Sequence, residues 1–230
     1  MSQRRRHGRP DRLVLVVGTG TEVGKTWLAA RLIAALRDAG SAVAARKPTQ
    51  SFEPGRGPTD AALLAGASGE AEEVVCPPAH AYPVAMAPPM AAEVLGRPPV
   101  TLDDLVAALA WPHPWPPGRP TVGVVEGAGG VRSPLAADGD GADLARRLAP
   151  DVLALVADAG LGTIHAVRTS AAALGWSPGA RSRAAPGLVV VLNRFDQGVD
   201  LHRRNREWLA DRDGFDVVVD PADLVDRAFD

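Results

Sequence analysis

Lysine is almost missing from this 230-residue chain: of 25 basic residues only Lys25 and Lys47 are lysines, the rest arginines. Cysteine occurs once, at Cys76, so no disulfide can form within the chain, and a reducing, cytoplasmic setting is expected. Charge of either sign has no excess. The 25 basic residues face 27 acidic ones, for a formal net charge of −2, which leaves no field to recruit nucleic acid or an anionic membrane. No apolar stretch approaches the ~18 residues of a membrane span, and no apolar signal-like segment stands at the N-terminus. The five histidines are scattered without metal-ligand spacing, and no Gly-x-Ser-x-Gly elbow is present. Cys76, in a proline-rich stretch, is a poor candidate nucleophile.

What is present is an alternation of apolar runs and amphipathic stretches. Strands are expected at residues 12–17, 42–46, 121–125, 152–157 and 188–192, with a last one at 215–219. Helices are expected at 27–39 (closed by Gly40), 58–67 (capped by Thr59), 89–96, 102–110 (capped by Thr101), 164–174 and 201–211. The strands are unbroken Val/Leu runs, which suits burial on both faces of a parallel sheet. The segment 111–120 holds five prolines and reads as irregular loop. Asp138 to Asp143 reads as a turn and an N-cap, without the spacing of a calcium loop. There is no repeat and no domain-scale linker. The expectation is α/β: a single doubly wound, mostly parallel sheet with helices on both faces, P-loop NTPase-like, over residues 12–230. Residues 1–11, with the basic run Arg4 to Arg6, are expected to form a disordered tail.

Three segments carry chemistry. In LVLVVGTGTEVGKTW, Leu13 to Trp27, an apolar strand enters a Gly/Thr loop, then Gly-Lys-Thr, then a helix. Backbone N–H groups of such a loop point at phosphate, Lys25 would reach the outer phosphates, and the Thr26 hydroxyl would bind Mg²⁺. Gly18 lies one residue further from Gly24 than the usual pattern has it. A glycine turn opening an ordinary helix would not require Lys-Thr. The second segment is Ala45 to Ser51, whose place at a strand C-terminus turns Lys47 toward the same crevice. Asp60, at a helix start, would be only a cap or a second metal ligand. The third is VVEGAGG: Glu126 closes a strand opposite the P-loop, where an acidic residue orders Mg²⁺, and glycines follow that let backbone approach a ligand. A lysine kept in a chain that otherwise uses arginine points to positions where a compact ammonium is needed.

Together these segments resemble the dethiobiotin synthetases, ATP-dependent carboxylase–cyclases of biotin biosynthesis. Gly18 to Thr26 is similar to that family's modified P-loop, Lys47 to Ser51 to its lysine loop, Pro58 to Leu64 to its metal-carboxylate helix, Val125 to Gly130 to its second acidic loop, and Leu161 to Leu174 to its dimer segment. The resemblance covers about residues 13–195. It implies Mg²⁺ on Thr26, Asp60 and Glu126, and ATP phosphates held by Glu22, Val23, Gly24, Lys25, Thr26 and Trp27. Lys47 would be catalytic, with Lys25. Ser51 and Thr21 would touch substrate, Gly127, Ala128 and Gly129 would line the nucleotide or diamine site, and Asn193 would contact adenine. The implied substrates are 7,8-diaminononanoate, CO₂ or bicarbonate, and ATP, in a homodimer. The chain departs from the family at His165, where Asn is usual. It also lacks a late Gly-x-Ile-Pro segment; Val217 to Asp226 stands there, with Pro221 as the equivalent. The competing readings are a switch ATPase of the ParA/MinD type and a paralogous synthetase acting on another amine.

Overall fold

The computed structural model describes residues 8–176 and 187–229. Its centre is a six-stranded sheet of β1 (Arg12–Gly18), β2 (Ala42–Arg46), β3 (Thr121–Glu126), β4 (Val152–Asp158), β5 (Gly187–Asn193) and β6 (Asp216–Val218). Their order is β6-β5-β4-β1-β3-β2, and every pairing is parallel. Besides a single turn at Glu72–Val75, the α-helices are α1 (Lys25–Asp38), α2 (Asp60–Ser68), α3 (Pro88–Val94), α4 (Leu102–Ala107), α5 (Gly141–Leu148), α6 (Thr163–Ala173), α7 (Asp200–Glu207) and α8 (Asp223–Phe229).

The uninterrupted apolar strands are sorted by the period-two pleat into two cores. Val14, Val16, Val124 and Val156 face Leu28, Leu32 and Ile33 of α1, Leu64 of α2 and Leu224 of α8. Leu13, Leu15, Val125 and Leu155 face Leu105 of α4, Leu144 of α5 and Val167 of α6. Each fully buried side chain of this size is worth about 1.5–3 kcal/mol, so both faces anchor the sheet that carries the site. The doubly wound parallel sheet is as expected.

Local sequence sets the ends of the elements. Thr59 caps α2 by accepting the Ala62 N–H, and Thr101 forms a reciprocal capping box with Asp104 on α4. Asp140 does the same with Asp143 on α5, so the acidic 138–143 segment is a turn and a cap. All six expected helices shift at their ends, three of them by two residues or more at the C-terminus. The 89–96 helix is 88–94, the 102–110 helix stops at Ala107 before the proline-rich loop, and the 201–211 helix stops at Glu207 and continues as a wider π-type turn at Trp208–Arg212. Of the segment expected as a tail over 1–11, residues 9–11 pack against the domain. Arg9 donates to the Leu148 and Ala149 carbonyls at the end of α5, Pro10 is buried, and Asp11 accepts from the Thr121 hydroxyl at 2.8 Å. Arg4 to Arg6 lie outside the described residues.

Candidate active site

Parallel strands deliver their C-terminal loops to one edge of the sheet, and the register decides which residues meet there. Val16 of β1 pairs with Glu126 of β3, and Arg46 of β2 pairs with Val125. Lys47, one residue on, therefore stands level with Glu126, two residues short of the P-loop's first glycine.

The P-loop takes its shape from two glycines. At Gly18 a Cβ would meet the Lys25 stem at 3.0 Å and Val23 at 2.9 Å. At Gly24 φ is +96°, and a Cβ would fall 1.9 Å from the Asn193 amide nitrogen, so the strand–loop–helix turn requires glycine at both. Lys25 folds back to donate to the Gly20 carbonyl at 2.9 Å. Burial, with the Lys47 charge nearby, brings its ammonium down to about 8. An anion in the loop would reverse both effects by giving the ammonium a strong partner.

Below the loop four side chains form one hydrogen-bonded cluster. The Thr26 hydroxyl lies 2.9 Å from Asp60 Oδ1 and 2.8 Å from Glu126 Oε1. Lys47 Nζ lies 2.7 Å from Asp60 Oδ2, 2.6 Å from Glu126 Oε1 and 3.1 Å from the Gly127 carbonyl. Lys47 and Glu126 are both buried, at 1% and 0% exposure. Burial works to lower the Lys47 ammonium, but the Glu126 and Asp60 carboxylates outweigh it and hold it above the usual value. Burial raises the Glu126 carboxyl, opposed by Lys47. At Asp60 the burial effect is overcome by Lys47, and the carboxyl is held low.

Surrounding residues lock these positions. The Lys47 N–H donates to Val75 at 2.8 Å. His80 Nδ1 lies 3.1 Å from the Pro48 carbonyl, and Gln50 Oε1 accepts from Ala61 N–H at 3.0 Å, fixing the start of α2 and hence Asp60. Behind β2, Arg46 pairs with Glu70 at 2.7 Å, and Glu70 also accepts the Ala45 N–H. Cys76, whose thiol burial pushes up to about 12, is no nucleophile at neutral pH.

The cluster opens into a cavity of about 660 Å³. Of the residues expected at the site, Thr21, Glu22, Gly24, Lys25, Thr26, Trp27, Ser51, Asp60, Ala128 and Gly129 line it. The Ser51 hydroxyl and Glu126 Oε2 are buried without a hydrogen-bond partner. Gly127 offers its carbonyl to Lys47. Val23 and Asn193 stand behind the loop, where the Asn193 amide donates to the Val23 carbonyl at 2.9 Å. Arg194 beside it donates to the Glu22 carbonyl at 2.7 Å and to Asp158 at 2.8 Å. Pro221 is in the turn before α8 and is not a lining residue. Sequence reasoning did not find Phe52, Arg56, Met86, Pro88, Ser133 and Pro134, which line it too. The one available signal was the Gly-Arg-Gly of residues 55–57, a charge set between two turn formers.

A parallel sheet whose central strand runs through a glycine loop into Lys-Thr at a helix start is a P-loop nucleotide-binding domain. An AAA domain family model matches residues 12–218. Among curated proteins, the ATP-dependent dethiobiotin synthetase BioD of Anaeromyxobacter dehalogenans (strain 2CP-C) is 38% identical over 224 residues, covering 94% of this chain and 93% of the relative. That of Rhodococcus jostii (strain RHA1) is 37% identical, covering 90% and 84%. The synthetase of Haloferax mediterranei is 35% identical, covering 90% and 82%. The chain belongs to the dethiobiotin synthetase family.

Proposed function

We propose that the protein carboxylates and cyclises 7,8-diaminononanoate with CO₂ to give dethiobiotin, consuming MgATP and releasing ADP and phosphate. The observation that carries this reading is the cluster of Lys47, Glu126, Asp60 and Thr26 beneath the P-loop, opening into a cavity far larger than phosphates alone require.

The donor set suits Mg²⁺. Thr26, Asp60 and Glu126 offer hard oxygens, and buried Glu126 Oε2 lacks a partner. Among the described residues no group of three or more His, Cys, Asp or Glu could cage a metal. A cation here would therefore complete its shell with water and phosphate oxygens, as Mg²⁺ prefers. Bound there, it would neutralise charge on the β- and γ-phosphates.

The chemistry asks the protein to hold charge and align reactants. One amine of the diamine adds to CO₂ and loses a proton, giving a carbamate. A carbamate oxygen attacks the γ-phosphorus and ADP leaves, giving a carbamic–phosphoric anhydride. The second amine attacks the carbonyl carbon and phosphate leaves, closing a cyclic urea. Lys25 and the loop N–H groups would hold the triphosphate. Lys47, kept protonated by its two carboxylates, would stabilise the carbamate and the anionic oxygens of the transferred phosphoryl group. Ser51, its hydroxyl free, would donate to or accept from the substrate. The apolar wall of Phe52, Met86 and Pro88 gives an aliphatic substrate a place that a switch ATPase would not need.

The test is phosphate release with MgATP and bicarbonate, with and without the diamine, together with product mass. Diamine-dependent phosphate and a product equal in mass to the amine plus CO₂ minus water sustain the reading. Turnover indifferent to the diamine rejects it, and turnover with a different diamine moves it to the paralogous synthetase.

A further inference from the structure

We propose that Arg194, anchored on Asp158, is a positioning residue for the nucleotide: it holds the Glu22 carbonyl behind the P-loop and so turns the Val23 N–H toward the phosphates. The inference rests on the P-loop holding a triphosphate, as in the reading above, and adds what sets the peptide planes of the loop.

Two successive carbonyls of the loop are taken by two successive side chains at the end of β5. Arg194 Nη2 donates to the Glu22 carbonyl at 2.7 Å, and Asn193 Nδ2 donates to the Val23 carbonyl at 2.9 Å. In a trans peptide the carbonyl and the following N–H point in opposite directions. Holding both carbonyls on the β5 side therefore presents the N–H groups of Val23 and Gly24 on the other side, where Glu22 and Gly24 line the cavity. Among the described residues neither N–H has a backbone partner, which leaves both for an anion.

The backbone shows the same hold. Glu22 and Arg194 have φ of +60° and +56°, a left-handed region that side chains other than glycine seldom adopt, and such residues persist where their surroundings determine them. Arg194 is steadied from β4. Its Nη1 lies 2.8 Å from Asp158 Oδ2, and Asp158 Oδ1 accepts the Gly160 N–H at 2.9 Å. The ion pair is about half exposed, so it adds little to stability by itself. What it supplies is direction: one prong of the guanidinium fork on Asp158 aims the other at the loop.

The experiment measures binding of MgATP and of Mg²⁺-tripolyphosphate by isothermal titration in wild type, R194A, R194K, D158N and R194A/D158N, with the melting temperature of each protein free of ligand. R194A should weaken both ligands by the same factor, about 10-fold for one charge-assisted hydrogen bond, and melt close to wild type. R194K, with one ammonium for two acceptors, should recover part of the loss. D158N should weaken both ligands by a smaller factor, and the double variant should be no weaker than R194A, because the two side chains act as one unit. Unchanged affinities in R194A overturn the proposal. A loss confined to ATP overturns it in favour of a contact to the nucleoside. Unchanged or tighter binding in D158N overturns it in favour of a guanidinium that touches phosphate directly once released. A loss of affinity in R194A matched by a large drop in melting temperature reduces Arg194 to a part of the fold. The diamine takes no part, so failure of the carboxylation reading leaves these outcomes as they are, whereas a wild type that binds neither ligand overturns both.

Discussion

Beneath the P-loop Lys47, Glu126 and Asp60 each have an opposite charge within 2.6–2.7 Å, whereas in the loop after Ser51, which also lines the cavity, Arg56 has one exposed partner at 3.3 Å. The first arrangement is held on strand ends and a helix start, the second on a loop between glycines. The difference follows from what each end must do. Charge that develops during reaction is stabilised best by groups already in place, because reorganising them would cost as much as they give. An aliphatic substrate needs only a wall that excludes water.

If the buried end is preorganised for a compact ammonium, Lys47→Arg should be the most damaging conservative change. The guanidinium keeps the charge but cannot occupy the space between Asp60 and Glu126 without moving one of them. We expect kcat to fall about 10²- to 10³-fold while circular dichroism remains native. Near-normal phosphate release would break the assignment of Lys47 as catalytic. Glu126→Gln tests the same end more gently. With one carboxylate oxygen and one charge removed from the proposed Mg²⁺ site, the Mg²⁺ needed for half-maximal rate should rise about 10-fold, and an unchanged titration would take Glu126 out of that site.

The contrast between the two ends also explains what could be read from the chain. Residues of the phosphate end sit where strand, loop and helix are dictated locally, so Gly18 to Thr26, Lys47, Asp60 and Glu126 stand out by type and spacing. Their meeting was legible too, since parallel strands bring their ends to one edge. The apolar wall is assembled from the segments at 52–56, 85–88 and 133–134, which share no period and have ordinary composition. Their convergence is a product of tertiary packing. Helix ends were misjudged for a related reason: apolar residues past Ala107 or Glu207 extend the periodic pattern, while the prolines and the π-type turn that interrupt it act through backbone geometry.

Asn193 tests a finer division within the phosphate end. The resemblance assigns it to adenine, yet its amide holds the Val23 carbonyl and packs against Gly24. If it supports the loop, Asn193→Ala should weaken ATP and base-free tripolyphosphate by the same factor, about 10-fold for one buried hydrogen bond. If it reads the base, tripolyphosphate binding will not change. Isothermal titration with both ligands separates the two outcomes.

The smallest effect should come from the wall itself. Phe52→Ala removes apolar surface from a half-buried ring and takes away no charge, so its cost should fall on the substrate's methylenes. KM for the diamine should rise about fivefold, within the range for lost apolar contacts in a pocket, with kcat and KM for ATP both flat. That pattern would mark interactions made equally in the ground and transition states, as expected of a surface remote from the reacting atoms. A parallel rise in KM for ATP would instead mean that the nucleotide shares this wall, and the separation between a rigid reacting end and a compliant binding end would no longer hold.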